Sequence, residues 1–434
     1  MNKSLYIVAF SLAFATTGIA QNNEGQDKVI DLGTQTTTEL RKTQAVSTIY
    51  SDELDKNATT SPYNAIYGLL PGLSVMQNTS WGTDKSRLNV RGRGSLNGDT
   101  PLFVVDGFAR PLEYINLSEI ESISVLKDGA ATALWGGRGA NGVVLITTKR
   151  GIYNQKDIKV DYKFGLGLPV NQPEFADAYT YAKARNEALR YDGLQPDMDE
   201  ASFLSGGNSD LYPNVDWQKE ALRNHTTSHQ LDITFRGGGK RLRYFSVLNY
   251  KNDMGLLNSK YTDYTDRYNS QMKKYFLNLR MNLDVDITDA TKLKLSMLGM
   301  LRETKRPTTS EATLFEQIFN TPSAAFPVQT QNGFWGSNNV LKTNPIANLA
   351  DVGYYKLNQR MLQADLRLVQ DLSVLTRGLS AELAIAYDNN ATYQETAKKS
   401  FMYQTIEKGT DGEPIYTNYG NPNDELEISN KGLA

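Results

Sequence analysis

Residues 275–287 read Tyr275-Phe276-Leu277-Asn278-Leu279-Arg280-Met281-Asn282-Leu283-Asp284-Val285-Asp286-Ile287. Tyr275, Leu277, Leu279, Met281, Leu283, Val285 and Ile287 fall on one face of an extended chain. Phe276, Asn278, Arg280, Asn282, Asp284 and Asp286 fall on the other. Side chains alternate across a strand, so this period of two predicts one apolar face and one polar face. Alternation sustained over about ten residues is the strand signature of a transmembrane β-barrel.

The pattern recurs throughout residues 151–434. In 158–168, Ile158, Val160, Tyr162, Phe164, Leu166 and Leu168 share a face, and Lys159, Asp161, Lys163, Gly165 and Gly167 share the other. Similar stretches lie at 231–235, 242–250, 293–301, 362–372 and 381–387, with an eighth candidate at 401–405. A soluble sandwich alternates too, so the connectors decide. They run long (169–229), short (Gly237-Gly238-Gly239-Lys240), long (253–273), short (Thr288-Asp289-Ala290), long (303–354) and short (373–377). Membrane barrels keep short turns on the periplasmic side and long loops outside. A sandwich has no reason to keep that parity. The first strand must therefore rise outward, and whatever precedes it enters from the periplasm. In the first long loop, Phe175, Tyr179, Ala182, Asn186 and Leu189 have helical spacing.

Composition agrees. The chain has 434 residues, a formal net charge of −2, 24 tyrosines, two histidines and no cysteine. Near-neutral charge argues against a nucleic-acid partner. The missing cysteines exclude a disulfide scaffold and a thiolate metal site. A mean hydropathy of −0.47 excludes a bundle of membrane helices but not a barrel. Lys3, an apolar run over 5–15 and small residues up to Ala20 read as a secretory leader over 1–20, cleaved between Ala20 and Gln21. Residues 21–45 are polar apart from Lys28-Val29-Ile30-Asp31-Leu32-Gly33, and are expected to be mobile.

Between these regions, residues 46–150 read as a compact, glycine-rich αβ unit. Arg87-Leu88-Asn89-Val90-Arg91-Gly92-Arg93-Gly94 precedes a short strand, Leu102-Phe103-Val104-Val105, which ends in an Asp106-Gly107 turn. Ile120-Glu121-Ser122-Ile123-Ser124-Val125-Leu126 reads as a strand. Lys127-Asp128-Gly129 then leads into a short helix, followed by Gly136-Gly137-Arg138-Gly139-Ala140-Asn141-Gly142 and a last strand over 143–148. The glycine cluster lacks the Gly-Lys-Ser/Thr ending of a phosphate loop and precedes a strand, so its glycines serve turns and close packing. Arg91 and Arg93 either line a polar contact with a barrel wall or form a solvated basic loop.

These motifs resemble the plug domain of TonB-dependent outer-membrane transporters, and more narrowly the SusC/RagA type of the Bacteroidetes. The resemblance rests on 89–96, on Val104-Val105-Asp106-Gly107, and above all on the run from Val125-Leu126-Lys127-Asp128 through Gly136, Arg138, Gly139, Asn141 and Gly142 to Gly151. One departure is Trp135-Gly136-Gly137, where the family usually has Tyr-Gly-Ser. The resemblance implies a mostly β protein: a leader over 1–20, a mobile segment over 21–45, an αβ plug over 46–150, and from 151 the first strands of an antiparallel transmembrane barrel. It also implies that Lys28, Val29, Ile30, Asp31, Leu32 and Gly33 form the Ton box. An extended segment with alternate apolar residues can add as a strand to a partner's sheet edge.

The implied partners are TonB, acting with ExbB and ExbD, a SusD-like surface lipoprotein, outer-membrane lipid, and a glycan or peptide cargo. The implied activity is TonB-dependent import of a large solute. The alternative is a surface receptor that binds without transport. Many members carry a small β-sandwich domain between leader and Ton box, whereas here eight positions separate Ala20 from Val29. Plugged transporters have about 22 strands of about ten residues, so the chain is expected to end mid-barrel and not to form a closed pore by itself.

No enzyme and no cofactor are expected. His225 and His229 are four apart, but in a strand-like setting with too few ligands for a metal. Asp197, Asp199 and Glu200 lack the glycine and distal glutamate of a calcium loop.

Overall fold

The computed structural model describes residues 8–13, 29–33, 36–38, 41–54, 56, 59, 61–77, 86–94, 98–170, 172–265, 268–421 and 424–433. The expected cleavage position at Ala20 and Gln21, and Lys28, lie outside them. Strand β1 (Val8–Ala13) pairs antiparallel with 161–166.

The αβ unit begins with a hairpin of β2 (Val29–Asp31) and β3 (Thr36–Thr38). Then follow β4 (Val46–Tyr50), the pair β5 (Leu73–Met76) and β6 (Arg87–Val90), β7 (Leu102–Val105), β8 (Phe108–Ala109), β9 (Ile120–Leu126) and β10 (Val143–Thr148). Five of these form one mixed sheet in the order β4-β9-β10-β7-β8. β10 runs parallel to β7 and antiparallel to β9. β9 and β10, at the centre, are buried on both faces, and β10 accordingly begins as a continuous apolar run. Ile49, Leu54, Ile66, Leu88, Leu112, Ile123, Val125 and Val144 form the main core.

The wall contains β11 (Lys156–Gly167), β12 (Thr226–Gly238), β13 (Leu242–Met254), β14 (Lys273–Asp286) and β15 (Thr291–Pro307). A short β16 (Trp335–Ser337) intervenes before β17 (Gly353–Asp371) and β18 (Ser380–Lys398). Chain order continues through β19 (Tyr403–Lys408) and β20 (Pro414–Tyr419) to β21 (Glu427–Leu433). The wall order is β1-β11-β12-β13-β14-β15-β17-β18-β21, with every neighbouring pair antiparallel. Among the described residues its two ends do not pair, so the sheet is open.

On β14 and β17 the predicted faces are the observed ones. Leu277, Leu279 and Met281 on β14, with Leu362 and Leu366 on β17, are exposed on the outside. Asn278, Arg280, Asn282 and Asp284 are buried on the inside. Such an apolar outer band suits lipid.

The eighth strand is a correction. Residues 401–405 do not extend the wall. β19 pairs with β16 and β20 in a separate three-stranded sheet, where Tyr403 stacks on Tyr419 at 5.5 Å, and β21 takes the wall position. Five residues of alternation fit either sheet, so the pattern could not choose.

The long connectors are not structureless. Trp217, Leu257, Tyr261, Leu314, Ile318, Phe326, Trp335 and Ile346 come from three of them and share one core, against which Phe401 and Tyr403 of a fourth are packed. The predicted helix is Ala178–Tyr191, capped by Asp177, which accepts from the Thr180 amide at 2.7 Å. Phe175 lies outside it and stacks on Phe319.

Candidate functional site

The seam between the αβ unit and the inner wall is built from charge pairs. Arg110 follows the β8 edge, and its guanidinium forks onto two carboxylates. It donates to Asp365 at 2.6 and 2.5 Å and to Asp388 at 2.7 and 3.0 Å. Arg110 and Asp365 are buried, while Asp388 is half-exposed. The two carboxylates hold the guanidinium ionised against the cost of burial. Glu119, at the start of β9, is fully buried. It accepts from Arg280 Nε and Asn278 Nδ2, both at 2.5 Å. Burial pushes its carboxyl above the usual range, and the Arg280 guanidinium beside it opposes that shift.

Further bonds extend the seam. Arg150 donates to Asp284 at 2.6 Å and to Ser296 at 3.0 Å. Asn116 Nδ2 donates to Asp232 at 2.8 Å, and Asn282 donates to Thr148 Oγ1 and the Lys149 carbonyl. The seam is thus polar on both halves. Each half keeps partners in contact, and each half is polar enough to meet water if the two were separated.

The Asp106-Gly107 turn has left-handed backbone at both residues and lies directly on the wall. Arg367 donates to the Asp106 carbonyl at 2.6 Å, and a β-carbon at Gly107 would sit 2.8 Å from that guanidinium. The φ of +91° at Gly107 is what favours glycine there. The Asp106 carboxylate ties the turn to β10 through Thr148.

Residues 29–33 differ from the expected mobility of 21–45. Ile30 and Leu32 are 1% and 8% exposed. They pack with Val46, Val104, Leu126, Ala131 and Leu145. The segment lacks a core of its own, but alternation puts both side chains on one face and the αβ unit supplies the surface. Gly33 has φ +98°, and a β-carbon there would lie 2.7 Å from the Trp135 ring. Lys127 and Asp128 secure the chain that follows. The Asp128 carboxylate accepts from the Ala45 amide at 2.7 Å and caps the helical turn at Ala131. The Ala45 bond holds that carboxyl below its ordinary range. Lys127 Nζ donates to Ser47 Oγ and to the Pro71 carbonyl.

The remaining motif residues serve the unit itself. Arg91 and Arg93 are exposed, with Gly92 and Gly94 beside them. Arg93 pairs with Asp99 at 3.1 Å, which Arg87 also holds, and neither Arg91 nor Arg93 is buried against the described strands of the wall. Arg87 first and Arg93 next lower the Asp99 carboxyl. Gly136 has positive φ, Arg138 is exposed, and Gly139 is buried against Thr132 and Val143. Asn141 donates to the Gly98 carbonyl, and Gly142 has φ +88° at the entry to β10.

His229 hydrogen-bonds the Tyr162 hydroxyl at 2.8 Å and lies against Phe164. Among the described residues no group of three potential ligands could hold a metal. Asp197 pairs with Arg185, Asp199 caps a helix, and Glu200 accepts from Asn186.

Residues 38–143 match the family model of the TonB-dependent receptor plug domain. The chain is 30% identical over 283 residues to the TonB-dependent receptor SusC of Bacteroides thetaiotaomicron, covering 61% of this chain and 26% of that protein. It is 28% identical over 281 residues to TonB-dependent receptor P26 of Formosa agariphila, covering 63% and 26%. The chain thus spans about a quarter of the length of these curated relatives. Among solved structures, the RagAB peptide importer in its open-open state shares the fold. Its TM-score is 0.68 at 19% identity, over 86% of this chain and 43% of that one.

Proposed function

We propose that this chain is the plug-bearing part of an energised importer of the SusC/RagA type of TonB-dependent outer-membrane receptors. Residues 28–33 are the segment that TonB grips. The observation that carries this is the pairing of a polar, separable seam with an apolar segment lodged on the plug ahead of it. Arg110, Glu119 and Arg150 hold the plug in the wall. Ile30 and Leu32 give the segment one apolar face, and an extended segment of this kind can be captured by strand addition.

Gating is then mechanical. Cargo binding frees 28–33 into the periplasm, TonB pulls on it, and the plug rearranges to open a path. The cargo is a large solute of glycan or peptide class, captured with a SusD-like lipoprotein over the external loops. A peptide cargo is supported by the fold shared with a peptide importer.

Deletion of 28–33 tests this. Import predicts that surface binding of labelled cargo persists while uptake is lost. Uptake that survives the deletion overturns the reading. Binding without uptake in the unaltered protein favours a receptor that does not transport.

A further inference from the structure

The three short turns of the wall differ in chemistry. Gly239, Lys240 and Arg241 join β12 to β13, and 287–290 join β14 to β15 with Thr288 and Asp289 at the tip. The turn from β17 to β18 reads Leu372-Ser373-Val374-Leu375-Thr376-Arg377-Gly378-Leu379. Val374 is 97% exposed and Leu375 74%, and Leu379 is also exposed.

This turn is built, not loose. The amides of Leu375 and Thr376 donate to the Leu372 carbonyl at 2.8 and 3.2 Å. The Leu379 amide donates to Thr376, and the Leu372 amide to Leu379. Asp371 Oδ1 accepts from the Ser373 amide at 2.7 Å and from its hydroxyl. These bonds fix the shape of the turn, while the remaining backbone groups at Val374 and Leu375 need water or headgroups for partners. Such a turn fits the polar interface of a bilayer and not its hydrocarbon core.

We propose that the 372–379 turn lies on the periplasmic leaflet of the outer membrane, with the Val374 and Leu375 side chains at the headgroup–acyl boundary and Arg377 at a phospholipid phosphate. Continuity supports lipid as the occupant. Leu366 and Leu368 on β17, and Leu383 and Ile385 on β18, are exposed on the outer face and lead down to the turn. Ile287, on the adjacent rim, is exposed as well, and the two turns touch through the Asp371 amide and the Ala290 carbonyl. Arg377 supplies the cation that a phosphate headgroup attracts. The wall is thus seated unevenly, with the 239–241 turn in water and the 372–379 turn at the membrane interface. The inference rests on the outer-membrane placement and goes beyond the import reading.

The chain has no cysteine, so single cysteines can carry a fluorophore. Val374→Cys, Lys240→Cys and Leu383→Cys are labelled with bimane in outer-membrane vesicles, then exposed to iodide and to 5-doxyl stearic acid. The label at 374 is expected to match 383: blue-shifted, quenched by the doxyl lipid, and several-fold less quenched by iodide than the label at 240. Doxyl quenching at 383 without quenching at 374 overturns the proposal and leaves the membrane reading intact. Shielding of 374 from both quenchers means that polypeptide covers the turn, and also overturns it. Quenching by iodide alone at all three positions removes the membrane placement itself.

Discussion

At the residue scale, Arg110 carries the plug–wall seam. Its planar fork meets two carboxylates at once, which a lysine ammonium cannot reproduce. Arg110→Ala strands a buried Asp365. Losing one partner of a buried pair typically costs about 3–5 kcal/mol, so the urea midpoint for loss of the plug should fall markedly, and Arg110→Lys should recover only part. Asp128 gives a pH signature. Its folded-state pKa lies below the ordinary 3.8. Its stabilising effect is therefore complete above that value and is lost as pH falls through the lower folded one. Amide protection at 44–47 should hold from neutral pH down to about pH 4 and drop below it. Asp128→Asn should lack this acid step. The wall half of the seam was legible in the sequence, because Asn278, Arg280, Asn282 and Asp284 share the polar face of one strand. The plug half was not. Arg110 and Asp365 are 255 positions apart, and no spacing rule links them. Arg91 and Arg93 had the stronger local signal but are exposed, away from the seam.

At the scale of elements, the alternation set the faces correctly on β14 and β17, and the later wall strands proved longer than their alternating cores. β17 and β18 each have 19 residues, well beyond the ~10 that span a bilayer. The excess carries the wall past the apolar band, where alternation relaxes because both faces meet water or other loops. Leu279, midway along β14 and exposed outward, is a direct probe of the band. Leu279→Arg should cost about 2–4 kcal/mol in lipid, read as a lower urea midpoint in vesicles. The long connectors were legible as loops and the Ala178–Tyr191 helix as a helix. Their common core, Trp217 with Leu314, Phe326 and Trp335, was not. It gathers residues from several connectors, none of which shows a period long enough to read.

At the scale of the whole molecule, a polar-seamed insert sits against a wall that is open among the described residues, and the segment before it is lodged on the insert. The resting contact at 29–33 is the central claim, because under the proposed import cycle it would let capture depend on cargo. The absence of native cysteine allows Ile30→Cys to be labelled in cells with a maleimide that crosses the outer membrane but not the inner. The rate should be slow without cargo and rise when cargo is supplied. In the Gly33→Ala background, where the added β-carbon meets the Trp135 ring, it should be fast from the start. A rate at Ile30→Cys that is the same with and without cargo would contradict the account.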